Sequence, residues 1–115
     1  MSFTHSSENA FTEGASKATA SLQTILDSIK TGNYELFLTV GDSDYKTGIS
    51  KETFDSVSSQ LRPRMVEGYN ITYFGNLKQD EYQIYLWKLS FADGGDEFVA
   101  RMAMNGDKVG GILIT

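Results

Sequence analysis

The stretch from Tyr82 to Thr115 leaves few folds open, because it reads as three consecutive antiparallel strands joined by two glycine turns. In Tyr82–Phe91 (YQIYLWKLSF) aromatic and branched residues fill nearly every position, and Asp93-Gly94-Gly95-Asp96 follows as a turn. With Gly94 and Gly95 at the centre of a tight hairpin, Phe91 faces Phe98, Leu89 faces Ala100, Trp87 faces Met102 and Tyr85 faces Met104. All these pairs are apolar, so they define an inner face that helices should cover. The second turn, Asn105-Gly106-Asp107, admits two registers, and both add Val109, Gly111 and Leu113 to that face.

The outer face then carries Ile84, Leu86, Lys88 and Ser90 against Val99, Arg101 and Ala103, with Ile112 and Ile114 on the last strand. An earlier strand over Tyr69–Phe74 (YNITYF) leads into a loop from Gly75 to Glu81, and a turn centred on Gln79-Asp80 places Tyr69, Ile71 and Tyr73 on the outer face too. An apolar patch of that size is more than a monomer leaves bare, which predicts a homodimer through the outer sheet face. Gly110 and Gly111 mark a bulge that bends the last strand.

The 115 residues, 40% hydrophobic, suffice for one core. The expected organisation is a frayed arm over residues 1–7 followed by a single domain over 8–115. The net charge of -5, with no run of Lys or Arg, argues against a nucleic-acid partner, which needs a dense basic patch. Without cysteine there is no disulfide framework and no thiolate metal site. His5, the one histidine, lies in the arm, so neither a histidine metal centre nor a Ser/His triad is expected, and no cofactor. The N-terminus lacks the basic and apolar regions of a signal peptide, and no membrane span is visible, which together give the expectation of a cytoplasmic protein without a membrane partner.

From Glu8 to Lys30, Phe11, Ala15, Ala18, Leu22, Ile25, Leu26 and Ile29 recur at spacings of three and four, drawing one stripe on a long helix that Gly32 ends. Asn33 can cap a short helix from Tyr34 to about Val40, although the run is rich enough in β-formers for a strand. Gly41–Gly48 reads as a loop. Its Asp42 and Asp44 alternate as in a calcium loop, but no glycine stands at the sixth position and no glutamate at the twelfth. Ser50 caps a third helix to about Leu61, with Phe54, Val57 and Leu61 buried and Pro63 ending or kinking it.

Lys30-Thr31-Gly32-Asn33-Tyr34 after the first helix, Ile49-Ser50-Lys51-Glu52 opening the third, and the terminal strands with Gly106-Asp107-Lys108-Val109 give this α+β chain an order that resembles the cystatin-like fold of the nuclear transport factor 2-like superfamily, in particular its small bacterial members of unassigned function. The resemblance implies a cone in which a bent antiparallel sheet of about four strands wraps the helices, often around a pocket, with an outer face that commonly makes a homodimer. Enzymes of that superfamily, ketosteroid isomerase and scytalone dehydratase among them, place carboxylates or histidines on the inner strands. The inner face predicted here has none, so no catalytic residue is assigned.

Tyr85, Trp87, Met102 and Met104 are the candidates to line a pocket for a small apolar ligand, with the tyrosine hydroxyl and the indole N–H as polar handles; plain core packing is the competing role. Lys88 and Arg101 fall opposite each other in the expected register, an arrangement that an anion or a dimer partner would compensate. Two function classes fit. One is a non-catalytic binding or interaction module; the other is an isomerase- or dehydratase-like enzyme using Asp27, Glu35, Asp42 or Asp44 as acid or base.

Overall fold

The computed structural model describes the backbone from Ser2 to Thr115 and the side chains from Gly14 onward. His5, Phe11 and the arm expected over residues 1–7 fall outside the described side chains. The three-and-four spacing makes α1 (Ser2–Thr31) a helix that buries Ala18, Leu22, Ile25, Leu26 and Ile29 along one stripe. Gly32, at φ 71°, takes the left-handed conformation that stops it. Asn33 then caps α2 (Tyr34–Leu38), its Oδ1 accepting from the Leu36 N–H at 3.0 Å.

Two helical features depart from the sequence expectation. Gly41–Gly48 is not all loop: Asp42 caps α3 (Ser43–Gly48), and the Tyr45 ring buried against Phe37, with centroids 4.8 Å apart, holds this short helix down. Ser50 caps α4 (Lys51–Glu67), which continues past Pro63 rather than ending there. Interior proline costs a hydrogen bond and crowds the preceding turn. The turn beyond it is held by tertiary contacts instead: Met65 is fully buried, and Arg64 lies over the Phe91 ring at 4.0 Å.

Four strands follow, β1 (Tyr69–Gln79), β2 (Tyr82–Phe91), β3 (Phe98–Asn105) and β4 (Lys108–Ile114), paired antiparallel in that order. The helices pack on one face, where Trp87, Leu89, Ala100, Met102 and Val109 join the helical stripes in a core. The chain is thus an α+β arrangement compatible with a cystatin-like fold.

The β2–β3 hairpin is not tight. Leu89 faces Phe98, Trp87 faces Ala100, Tyr85 faces Met102 and Gln83 faces Met104, two residues off the expected register. Residues 92–97 form a loop that Arg64 holds, its Nε and Nη2 gripping the Asp93 carboxylate at 2.7 and 3.1 Å while Nη2 also donates to the Asp96 carbonyl at 2.7 Å. Because the offset is even, each side chain keeps its face.

The outer strands do change faces. Asp80 and Glu81, both at positive φ, form the β1–β2 turn and set Gln79 opposite Tyr82, a register that by itself leaves Tyr69, Ile71 and Tyr73 on the outer face. A bulge at Phe74, followed by Gly75 at φ 145°, slips the register by one residue, and these three side chains turn inward opposite Phe91, Leu89 and Trp87. On β4 the register shifts between Val109 and Gly111, leaving Gly110 as the extra residue. Ile112 and Ile114 are thereby turned in, opposite Met102 and Ala100, and Leu113, expected inside, is turned out opposite Arg101, 55% exposed.

Phe74 is itself 58% exposed, so its side chain matters less than its place in the count. Phe74→Ala should change urea-unfolding stability by no more than about 0.5 kcal/mol. Deleting Phe74 should abolish the cooperative transition, because it sends Tyr69, Ile71 and Tyr73 back to solvent.

Candidate functional site

The structure brings the four predicted pocket residues together on the inner face. Tyr85 sits directly opposite Met102, flanked by Trp87 and Met104. Tyr73, brought in by the bulge, adds a third ring, 5.8 Å from Trp87 and 6.5 Å from Tyr85. Sequence reasoning misses Tyr73 because nothing in YNITYFGNLKQ announces where the extra residue falls. Trp87 and Met102 are enclosed and line none of the described cavities, whereas Tyr85 and Met104 reach a cavity of about 240 Å³ at the end of the sheet where the β1–β2 and β3–β4 turns lie, beside Gly14, Lys17, Lys78 and Glu81. Burial pushes the Tyr85 hydroxyl above its ordinary pKa, so it is protonated at neutral pH. The Trp87 indole N–H is buried with no acceptor among the described residues.

On the outer face the expected clash of cations does not arise. Lys88 lies between Thr72 and Val99, and Arg101 between Leu86 and Leu113, because the register moved by two. Arg101 donates to the Gln79 side chain on β1. In the observed register the line between them crosses β2 at Ile84, which is 7% exposed although it points outward. The Arg101–Gln79 bond spans this position.

The four carboxylates weighed as acid or base stand apart from the cavities. Asp27, Glu35 and Asp44 are exposed, and none of the four lines a described cavity. Asp42 serves structure: it accepts from Asn105 Nδ2 at 3.0 Å and from the Tyr45 N–H at 3.0 Å, and these bonds hold its carboxyl below the usual carboxylate range. Tyr34 and Tyr45 likewise donate to the Ile49 and Phe37 carbonyls at 2.7 and 2.9 Å. Among the described residues no cluster of three His, Asp or Glu side chains could hold a metal ion, and no helix is long and apolar enough to cross a membrane.

An apolar groove of about 350 Å³ opens between α4 and the last half of β4. Val57 and Leu61 form one wall, Ile112 and Ile114 the other, with Phe98 at one side and Thr53 and Gln60 as its polar lining. It offers no acid or base, so it can bind apolar groups but cannot move protons. Ile112 and Ile114 reach it only because Gly110 is extra. A scan of protein-family models found no match for this chain, and a search of curated proteins found no significant one.

A Cβ placed on Gly14 would lie 2.6 Å from the Tyr85 hydroxyl oxygen and 3.7 Å from the ring carbon that bears it. Gly14→Ala should therefore destabilise wild type yet be neutral or stabilising beside Tyr85→Phe, where alanine's helix propensity is no longer opposed. A double-mutant cycle read by thermal unfolding should give a coupling of about 1–2 kcal/mol.

Proposed function

We propose that this protein is a non-catalytic interaction module of the nuclear transport factor 2-like kind, working as a homodimer through the outer layer of its sheet. The observation that carries the proposal is the exposure of large apolar side chains on that layer, Phe74 at 58% and Leu113 at 55%, with Leu77, Leu86 and Val99 half-buried between them. The enzyme alternative has less behind it, since the four candidate carboxylates are exposed or committed to capping.

A small apolar ligand inside the cone is a second reading, favoured by the Trp87 N–H, because a buried donor without an acceptor is unusual and suits a guest carrying a carbonyl oxygen. Trp87 is the only tryptophan and reports on it. Titrating an apolar ketone should shift or quench its emission; emission unchanged at saturating ketone would show a filled interior.

Light scattering tests the dimer: the particle should weigh about twice 12.7 kDa at micromolar concentration. Leu113→Lys should return it to a monomer without loss of fold, since the side chain is 55% exposed. A mass of one chain at every concentration would refute the proposal.

A further inference from the structure

The outer side of β4 is covered over only part of its length. Val109 exchanges backbone hydrogen bonds with Val40 and Asp42, accepting from the Asp42 N–H and donating to the Val40 carbonyl at 2.9 Å each, so this short segment seals the start of the strand. Beyond the Gly110 bulge, the five residues Gly111–Thr115 have no such cover among the described residues.

The direction of their backbone groups follows from the ladder. Thr115 donates to the Val99 carbonyl at 3.1 Å and accepts from the Val99 N–H at 2.9 Å. Backbone groups alternate along an antiparallel pair, so Leu113 also turns toward β3, while the N–H and C=O groups of Ile112 and Ile114 turn outward. Bare edges of this kind are usually blocked by lysine, proline or a bulge within the open stretch, and Gly-Ile-Leu-Ile-Thr has none of these.

We propose that this half-edge is where the second copy of the chain docks, the two β4 strands pairing antiparallel about a two-fold axis through Leu113. The inference rests on the homodimer proposed above and places its contact at the β4 rim of the outer layer, where Leu113 is exposed, rather than across the whole of that layer. Antiparallel pairing about that axis sets Ile112 opposite the partner's Ile114 and Ile114 opposite the partner's Ile112, so the residues whose backbone groups point outward are the ones that meet. An axis between two residues would set Leu113, whose groups turn away, opposite an isoleucine whose groups point out, and the hydrogen bonds would be lost; among the axes through a residue, the one through Leu113 centres the pairing on Gly111–Thr115 and stays clear of the covered Val109.

Three further observations agree with a second copy as the occupant. The paired strip, Gly111–Thr115, begins after the Gly110 bulge and leaves the Val40–Asp42 cover on Val109 in place. The strip carries no charge, so no like charges face each other across the axis. Leu113, 55% exposed on one chain, meets its symmetry mate in a close non-hydrogen-bonded pair, while Ile112 and Ile114 of both copies line the open side of the α4–β4 groove. The two outer faces then become one continuous surface rather than stacking on each other.

The chain has no cysteine, which makes a single introduced one specific. A non-hydrogen-bonded antiparallel pair brings Cα atoms to about 4.5 Å, within disulfide reach. Full-length Leu113→Cys, incubated with oxidised glutathione, should form a covalent dimer about tenfold faster or more than Phe74→Cys, an equally exposed site on the opposite edge strand. Light scattering on the wild-type chain runs alongside. A dimer in which Leu113→Cys links no faster than Phe74→Cys would overturn the edge contact while leaving the homodimer standing. A monomer at all concentrations would overturn both.

Discussion

Side chains of a strand alternate between its two faces, so one extra residue turns over everything beyond it. This constraint governs the molecule. The two inner strands, β2 and β3, keep an unbroken alternation and offer Trp87, Leu89, Ala100 and Met102 to the helices. Each outer strand carries one extra residue, Phe74 on β1 and Gly110 on β4. Those two residues decide that Tyr69, Ile71, Tyr73, Ile112 and Ile114 serve the inner side and that Leu113 does not. Without them the sheet would have a narrow apolar band inside and a broad one outside.

The same counting shows what was legible in the sequence. The faces of the central hairpin could be read because one assignment puts Tyr85, Trp87, Leu89 and Phe91 on the same side as Phe98, Ala100, Met102 and Met104, all apolar, and an error of two in the register leaves that assignment intact. The faces of the outer strands could not. Phe74 is a bulky β-former with nothing to mark it as unpaired, and although Gly110-Gly111 signals a bend, it does not say which residue is left over. The error of two in the central hairpin is what made Lys88 and Arg101 look opposed, when Arg101 in fact faces Leu86 and bonds Gln79. Helix α3 was hidden because a six-residue helix buries little of its own and depends on the Tyr45–Phe37 contact, which is tertiary. Tyr85, Trp87, Met102 and Met104 do lie on the inner face, as expected, but the groove beside β4 was not foreseeable, since its wall exists only after the bulge.

The inner and outer sides of the sheet also differ in how they are closed. Inside, aromatic rings and methionines fill the space beneath α1, and Gln23 reaches across to the Tyr69 hydroxyl at 2.8 Å to fasten helix to sheet. Outside, Arg101, bonded to Gln79, spans Ile84 in the middle of the face, and the large exposed apolar side chains sit at the two rims, Phe74 and Leu113. A partner that approached the centre would have to displace that side chain; one that approached the β4 rim would not.

Arg64 joins two segments of the chain, the end of α4 and the loop between β2 and β3. Its guanidinium lies over the Phe91 ring, is forked onto Asp93 and bonded to the Asp96 carbonyl, and projects from the helical turn just past Pro63. The buried Met65 anchors that turn to the core, and Arg64 carries the anchorage across to the loop. A lysine there, with its single rounded ammonium and no plane to stack, would loosen the loop while Met65 keeps the turn in place.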